Sequence, residues 1–162
     1  MREILFKAKD NKTREWVEGS LLVLDWESDY VYIVKEFPRA STLPVSVIIA
    51  DNMVLVNKET LCQYTGMDDK NEKKIWENDI VVCEHKKYPE NKRDLEFPFF
   101  PEPIKYKRNY KVEFVNTGFN YGYRLRNKSI HFMLNGNVIY NHNVRTVGNI
   151  FDNPELLEGM VE

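Results

Sequence analysis

The chain has 162 residues, a length that suits one domain or two small modules. Hydrophobic residues make up 43% and aromatic residues 13%, so the chain can bury a core and does not have the composition of a disordered protein. The formal net charge of −2 excludes a globally basic protein, so any binding to nucleic acid or to a membrane surface requires a local patch.

The N-terminus and the two cysteines indicate the compartment. The segment MREILFKAKD has charges where a signal peptide would have its apolar region, and no apolar run approaches the roughly 20 residues that span a bilayer. Cys62 and Cys83 fit neither closely spaced metal-binding pairs nor a disulfide-dense secreted scaffold, so we predict buried free thiols. We therefore expect a cytoplasmic protein with no membrane segment.

Residues 1–62 are predicted to form a β-hairpin-rich N-terminal region. Short segments rich in β-branched and aromatic residues alternate there with polar turn signals. The predicted strands are residues 4–9, a strand beginning at 16–17, and residues 21–24, 30–34, 45–49 and 53–56. Residues 10–13 and 26–29 are predicted as turns, and residues 58–61 as a short helical turn.

Residues 63–162 are predicted to form the second module. Residues 63–82 predict a strand, a charged turn and a second strand, and further strands are predicted over residues 110–115, 121–126, 129–134, 138–140 and 145–150. Asn135 and Gly136 predict a type I′ hairpin turn, because both residues accept positive φ. Asn153 and Pro154 predict the N-cap and first residue of one short C-terminal helix.

Residues 85–104 differ in composition from the rest of the second module. They contain Pro89, Pro98, Pro101 and Pro103, which exclude a central strand and predict a Pro-rich excursion between two strands. A loop of this length is unusual in a compact domain and is either functional or mobile. The alternative is an ordered flap that packs through its own aromatic side chains.

The number and spacing of these short strands predict a mainly β fold, either a barrel or a sandwich. Four segments together resemble the YopX family of bacteriophage and prophage proteins. They are Arg2-Glu3-Ile4-x-Phe6-x-Ala8, Gln63-Tyr64-Thr65-Gly66-Met67-x-Asp69-Lys70-Asn71, Ile75-Trp76-Glu77-x-Asp79-Ile80-Val81, and Gly148-Asn149-Ile150-Phe151-Asp152-Asn153-Pro154-Glu155-Leu156-Leu157. Residues 20–56 and 84–144 carry no matching motif. The resemblance implies a small β-barrel (SH3-like) in the C-terminal part and a phage or prophage protein in the bacterial cytoplasm, but no activity.

Two positions depart from the family pattern. The family has glycine where Glu72 stands, and its Glu-Gly-Asp has Asn78 in place of the glycine. Asparagine tolerates the left-handed region of the backbone, so position 78 can keep that geometry. Glutamate is harder to accommodate at positive φ, which leaves the turn type at Glu72 open.

No residue set predicts a catalytic or metal site. Glu77 and Asp79 share a strand face and could bind a divalent cation or act as an acid–base pair. The alternative is that Asp79 accepts hydrogen bonds from turn amides. His85, His131 and His142 show no ligand spacing, and no cofactor or metal motif is present. An enzyme would need a pocket lined by convergent polar groups with shifted pKa values.

Residues 105–111 are the best candidate for binding, because they combine four cations and two tyrosines with no acid. Cations contact phosphates, and tyrosines stack on unpaired bases. Two arginines would extend the surface if their strand neighbours this segment. The predicted binding residues are Lys105, Tyr106, Lys107, Arg108, Tyr110, Lys111, Arg124 and Arg126. The alternative is a solvated sheet edge whose charges discourage aggregation.

The aromatic content favours a protein partner. The chain has 9 Tyr, 9 Phe and 3 Trp, and small β-barrels bind peptides in aromatic-lined grooves. By fold analogy, the leading hypothesis is a non-enzymatic binding module for a host or phage protein, or for a second copy of itself. Nucleic-acid binding through residues 105–111 is the alternative. A structural or assembly role follows, and an enzyme ranks last.

Overall fold

The computed structural model describes residues 3–24, 30–35, 42–88, 102–128 and 130–158. The chain divides into two units, Met1–Gly66 and Met67–Glu162. Within the described ranges, no helix has the length and apolar character needed to cross a membrane. The boundary predicted after residue 62 stays a prediction.

The first unit is built on one antiparallel sheet. Its strands are β1 (Phe6–Lys9), β2 (Trp16–Val23), β3 (Val31–Val34), β4 (Met53–Val56) and β5 (Cys62–Asp68), in the order β4-β3-β2-β1-β5. Helix α1 (Val45–Asn52) and a 3-10 helix (Lys58–Thr60) precede and follow β4 in the chain. The core contains Ala8, Val17, Val31, Ile33 and Val56. The strands predicted over residues 4–9, 30–34 and 53–56 and the helical turn near residue 58 are confirmed, whereas the segments predicted separately at 16–17 and 21–24 form one strand, β2. The predicted loop at 26–29 lies outside the described residues.

The strand predicted over residues 45–49 is wrong, because these residues begin helix α1. Pro44 occupies the N-cap position with φ −57° and ψ 142°, and Ile48 is the buried residue of the helix. The side-chain nitrogen of Asn52 donates to the carbonyl of Ile48 at 2.8 Å. A short apolar run has no period that separates a strand from one buried helical turn, so packing decides between them.

The second unit contains a five-stranded antiparallel sheet. Its strands are β7 (Asp79–Lys87), β8 (Ile104–Asn116), β9 (Tyr121–Asn127), β10 (Ile130–Met133) and β11 (Arg145–Asn149), in the order β10-β9-β8-β7-β11. The short strand β6 (Lys74–Trp76) precedes β7 in the chain. Strands β10 and β11 are the edges, so across the described residues this sheet does not close on itself. The mainly β prediction is confirmed, and the SH3-like barrel is not.

The Asn135-Gly136 hairpin prediction is also wrong. Residues Gly136–Asn141 form helix α2, and the side-chain oxygen of Asn135 accepts a hydrogen bond from the Val138 amide at 3.0 Å. Asparagine is favoured both in type I′ turns and at helix N-caps, so the dipeptide does not decide between them. Ile139 of α2 packs into the core over the sheet, together with Leu125 and Val144. That burial favours the helix.

The predicted excursion is shorter than expected. Strand β7 continues to Lys87 and β8 begins at Ile104, and these two residues face each other in the register. Residues 85–87 and 104 are therefore strand, whereas the predicted loop residues 89–101 lie outside the described part of the chain. The strand extends to Lys87 because the first proline follows only at position 89.

The C-terminal helix is confirmed as α3 (Glu155–Glu158). The amides of Leu156 and Leu157 donate to the carbonyls of Asn153 and Pro154, both at 3.1 Å. The side chain of Asn109 in β8 donates to the carbonyl of Leu156 at 2.9 Å, which attaches α3 to the sheet.

Candidate functional site

The charged turn after β5 is organised by Asp69, which is 6% exposed. Its Oδ1 accepts hydrogen bonds from the amides of Asn71 at 2.7 Å and Lys73 at 3.1 Å. Its Oδ2 accepts one from the amide of Thr146 in β11 at 2.8 Å. The amide of Lys70 donates to the carbonyl of Val144 at 3.0 Å. The turn therefore fixes the backbone of Lys70 beside the segment that links α2 to β11.

Both residues that depart from the family pattern lie in the left-handed region of the backbone. Glu72 has φ 61° and Asn78 has φ 65°. The Oδ2 of Asp79 accepts a hydrogen bond from the amide of Trp76 at 2.9 Å, so its predicted turn role is confirmed. In the described ranges, no group of three or more His, Cys, Asp or Glu side chains could hold a metal ion. Asp69 and Asp79 therefore close the turns on either side of β6.

Both cysteines are buried free thiols, as predicted. Burial raises the pKa of the Cys83 thiol to about 12, so this side chain stays protonated at neutral pH. Cys83 belongs to the core of the second unit, where its neighbours include Val81 and Tyr110. It is a packing residue.

A depression of about 690 Å³ lies where β7 ends and β8 begins. Three lysines line it: Lys70 from the charged turn, Lys86 from β7 and Lys105 from β8. Lys86 and Lys105 are direct partners in the strand register, so their side chains leave the same face of the sheet. The Nζ of Lys70 lies 4.0 Å from the ring centroid of Tyr140, another lining residue. The depression thus brings cations and an aromatic ring together.

Among the described residues that line the depression, Glu84 carries the one acidic side chain. Its Oε1 lies 2.8 Å from the Nη2 of Arg145, and that ion pair offsets its charge. The three lysines are therefore left as the main charges of the site. A local positive field results on a chain whose net charge is −2.

Aromatic and imidazole rings form the inner wall. His85 stacks on Tyr106, with ring centroids 5.2 Å apart and planes 20° from parallel. The ring of His142 lies 5.0 Å from that of His85. All three residues line the depression. The exposed fractions of Tyr106 and Tyr140 are 39% and 73%, so both rings present surface to a ligand.

Hydrogen bonds hold the two imidazoles. The Nε2 of His85 lies 3.0 Å from the phenol oxygen of Tyr110, and the Nδ1 of His142 lies 3.1 Å from the backbone oxygen of Glu84. Burial, then the charges of His142 and Arg108, lower the pKa of His85 below its usual value. Burial raises the pKa of Tyr110, so its phenol keeps its proton at neutral pH.

The strand pleat divides the predicted binding segment between the two faces of the sheet. Side chains alternate along β8, so Lys105, Lys107 and Lys111 leave one face. Tyr106, Arg108 and Tyr110 leave the other face. Tyr110 is buried in the core, and Arg108 is half-buried, with its guanidinium 5.8 Å from the Tyr106 ring. The segment is therefore not one continuous surface.

The arginines of β9 neighbour β8, as the extended surface required. Arg126 faces Lys111 and Arg124 faces Glu113 in the register. Glu113, however, forms ion pairs with the Nη2 of Arg124 at 2.5 Å and the Nη1 of Arg126 at 3.5 Å. Of the eight predicted residues, the structure places Lys105 and Tyr106 in the lining of the depression.

Several lining residues were missed from the sequence. Lys70, His85, Lys86, Tyr140 and His142 come from a turn, the end of β7 and the end of α2. No local spacing connects them, because they meet only after β7 pairs with β8 and α2 packs on the sheet. Residues 85–104 were predicted as a loop outside the sheet. That prediction excluded the pairing that the structure shows, in which His85 faces Tyr106 and Lys86 faces Lys105.

A search of the curated proteins finds no match. Among solved structures, the chain is similar to the crystal structure of protein EF1440 from Enterococcus faecalis. The TM-score is 0.53 and the sequence identity 20%, over 97% of this chain and 99% of that chain, which shows a likeness of fold alone. The family model described as YopX protein matches residues 5–158. The chain therefore belongs to the YopX family.

Proposed function

We propose that the second unit binds single-stranded nucleic acid in the depression at the end of β7 and β8. One observation carries the proposal: Lys70, Lys86 and Lys105 surround the same depression as the exposed rings of Tyr106 and Tyr140. Cations that follow a phosphate backbone, combined with rings on which bases stack, are the recurring elements of single-strand recognition. The volume of about 690 Å³ falls within the range of ligand-binding pockets.

Lys70 and Tyr140 suggest how one nucleotide would be held. The ammonium group lies 4.0 Å from the ring centroid, and the ring is otherwise well exposed. A base that stacks on Tyr140 brings its own phosphate within reach of Lys70. Lys107, two residues beyond Lys105 on the same strand face, extends the cationic path along β8.

The proposal is tested by fluorescence anisotropy with labelled single-stranded oligonucleotides at low salt. We expect Tyr140→Ala to weaken binding roughly tenfold, because stacking on one aromatic side chain contributes ~1–3 kcal/mol per base. The matched control is Tyr121→Ala, which removes a tyrosine that is 77% exposed but is not among the residues of the depression. Wild-type affinity in the Tyr140 variant would contradict the proposal.

A charge variant tests the lysines separately. Replacing Lys70, Lys86 and Lys105 with glutamine should abolish measurable binding, whereas Lys12→Gln, on the exposed turn of the first unit, should not change it. Binding of the triple variant at wild-type affinity, or no binding of any oligonucleotide by the wild type, would show that the depression is not a nucleic-acid site.

A second candidate function is protein binding at the β8–β9 turn. Phe119 is fully exposed there, and the half-exposed Phe114 meets Tyr121 edge-on, with ring centroids 5.2 Å apart. Exposed aromatic clusters mark interaction sites in soluble proteins. We propose a second copy of the chain as the partner at this turn. Sedimentation equilibrium should show dimers that Phe119→Ser disrupts, and a monomeric wild type at high concentration would exclude this partner.

We also propose that the protein acts in the bacterial cytoplasm, in the phage or prophage setting that the family resemblance implies. On the same family resemblance, we propose that the second unit is SH3-like. Fractionation of cells that express the chain should recover it with cytoplasmic markers. Recovery with periplasmic or membrane markers would contradict the location.

A further inference from the structure

We infer that the depression cleaves RNA, with His142 and His85 as the proton-transferring groups of a transphosphorylation to the ribose 2′-hydroxyl. The inference rests on the proposed function, because the RNA strand must first bind. It adds an activity that requires more than a binding surface, namely two acid–base groups next to cations that can stabilise a phosphoryl transition state.

The two imidazoles stand in the position that this reaction needs. Their ring centroids are 5.0 Å apart, and both rings line the depression with Lys70, Lys86 and Lys105. Histidine is the side chain whose ordinary pKa lets it both accept and give a proton near neutral pH. A phosphodiester bound in the depression therefore lies beside a base and an acid at once.

His142 is oriented as a base. A backbone carbonyl can only accept a hydrogen bond, so the contact at 3.1 Å requires that the Nδ1 of His142 donates to the oxygen of Glu84. In the neutral ring the proton is then on Nδ1, and Nε2 carries the free lone pair. The backbone amide of Glu84 also donates to the carbonyl of His142 at 2.7 Å. Both the ring and the main chain of this residue are thus held.

His85 is oriented as an acid. Its Nε2 lies 3.0 Å from the phenol oxygen of the buried Tyr110, so Nδ1 is the nitrogen left to serve a substrate. When the ring is protonated, Nε2–H donates to that phenol and Nδ1–H is available. The lowered pKa of His85 makes its protonated form a stronger acid.

Charged and aromatic side chains from the neighbouring strands and from the end of α2 surround His85. Arg108, Tyr106 and Tyr110 come from β8, Phe132 comes from β10, and His142 follows α2. On β7 itself, Lys86 and the ion-paired Glu84 line the same depression. The neighbouring charges are therefore mostly positive, which favours release of a proton from His85.

The chemical step balances without a further reactant. The Nε2 of neutral His142 takes the proton of the 2′-hydroxyl, and the 2′-oxygen forms a bond to phosphorus. The bond between phosphorus and the 5′-oxygen breaks, and protonated His85 gives its Nδ1 proton to that oxygen. The products are a 2′,3′-cyclic phosphate and a 5′-hydroxyl. Lys70 stabilises the charge on the non-bridging oxygens.

The experiment compares an end-labelled single-stranded RNA with a fully 2′-O-methylated strand and a DNA strand of the same sequence. We expect the wild type to cleave the RNA alone, to leave the two product ends named above, and to be unaffected by EDTA. Binding is measured with the 2′-O-methylated strand, which has no attacking hydroxyl.

His142→Asn and His85→Gln are the informative variants. The amide of asparagine can still donate to the Glu84 carbonyl, and that of glutamine can still bond to Tyr110, but neither transfers a proton. Each variant should lower the cleavage rate at least about 100-fold, with affinity for the methylated strand within about twofold of wild type. His131→Asn, which changes an exposed histidine of β10, should retain the wild-type rate.

The pH profile separates proton transfer from a structural role. The wild-type rate should be bell-shaped, because one imidazole must be protonated while the other is neutral. Binding of the methylated strand with no RNA cleavage would overturn this inference and leave the proposed function standing, whereas no binding would overturn both. Cleavage that persists in both histidine variants, or that also consumes DNA, would overturn the inference alone.

Discussion

Asp69 and Asp79 each close a turn with a single carboxylate. Asp69 and Asp79 direct oxygen atoms at backbone amides of the turns around β6. A buried carboxylate needs such donors, because charged groups out of water are costly unless they are hydrogen-bonded. Glu77 and Asp79 could have been an acid–base pair, but the Asp79 carboxylate closes a turn instead. Glu72 and Asn78 complete those turns in the left-handed region.

The first prediction concerns Asp69. Asp69→Ala leaves the amides of Asn71, Lys73 and Thr146 without their acceptor. We expect the free energy of unfolding to fall by at least about 3 kcal/mol, since hydrogen bonds to charged groups contribute ~1.5–3 kcal/mol each and the contributions of bonds to one carboxylate are not additive. Urea denaturation measures the change. The control Glu158→Ala removes an exposed carboxylate, and its effect should stay within about 0.5 kcal/mol. A similar loss in both variants would contradict the role of Asp69.

The second prediction concerns Glu72, whose φ is 61°. Glu72→Gly should raise the free energy of unfolding by about 0.5–1 kcal/mol, because a Cβ in the left-handed region costs ~1–2 kcal/mol and glycine returns part of that gain as entropy. Glu72→Ala keeps the Cβ while removing the carboxylate. If alanine stabilised the chain as much as glycine, charge rather than backbone strain would be the cause.

The third prediction concerns pH. The folded-state pKa of His85 lies below its ordinary value, so the unfolded chain binds the proton more readily. Its contribution to stability is present above the unfolded pKa and is lost as pH falls through the folded pKa. We expect the free energy of unfolding to decrease between about pH 7.5 and pH 5, and to decrease less in His85→Gln. Identical pH dependence in the two proteins would refute this assignment.

At the level of elements, the sequence shows the period-two alternation of the strands. It does not show which side chains that alternation places on the same face. The strands of the sheets follow from β-branched and aromatic periodicity, and those over residues 121–126 and 145–150 are confirmed. The same alternation separates Lys105 from Tyr106 onto opposite faces of β8. A binding segment that is contiguous in sequence is thus divided in space.

The fourth prediction distinguishes helix α2 from the hairpin. A Cβ added at Gly136 meets no atom within 4 Å, and the residue begins the helix. Gly136→Ala should therefore stabilise the chain by about 0.4–1 kcal/mol, whereas in a type I′ turn the same change would destabilise it. Asn135→Ala, which removes the N-cap, should cost ~1 kcal/mol. Thermal or chemical denaturation of both variants decides between the two structures.

At the level of the whole molecule, charge is local rather than global. The net charge is −2, yet three lysines meet around one depression, and the acid beside them is paired with Arg145. We propose that this region of the second unit attracts a polyanion. The strength of that attraction should follow the ionic strength of the solution.

The fifth prediction is the salt dependence of oligonucleotide binding. Three phosphate contacts predict a slope of about −2 in a plot of log K against log salt, since each single-strand contact contributes roughly 0.7. Lys105→Gln should reduce the magnitude of the slope by roughly 0.7, and Lys12→Gln should leave it unchanged. A slope near zero in the wild type would show that the lysines do not contact phosphates.

The sequence by itself determined the mainly β class, the family and most strands, because period-two patterning and turn residues act over a few neighbouring positions. Only the tertiary structure decided that residues 45–49 and 136–141 are helical, since short segments take the conformation that best buries Ile48 and Ile139. It also decided the site. Lys70, His85 and His142 are separated by 15 and 57 residues (85 − 70 and 142 − 85), and only strand pairing and helix packing bring their side chains to one depression.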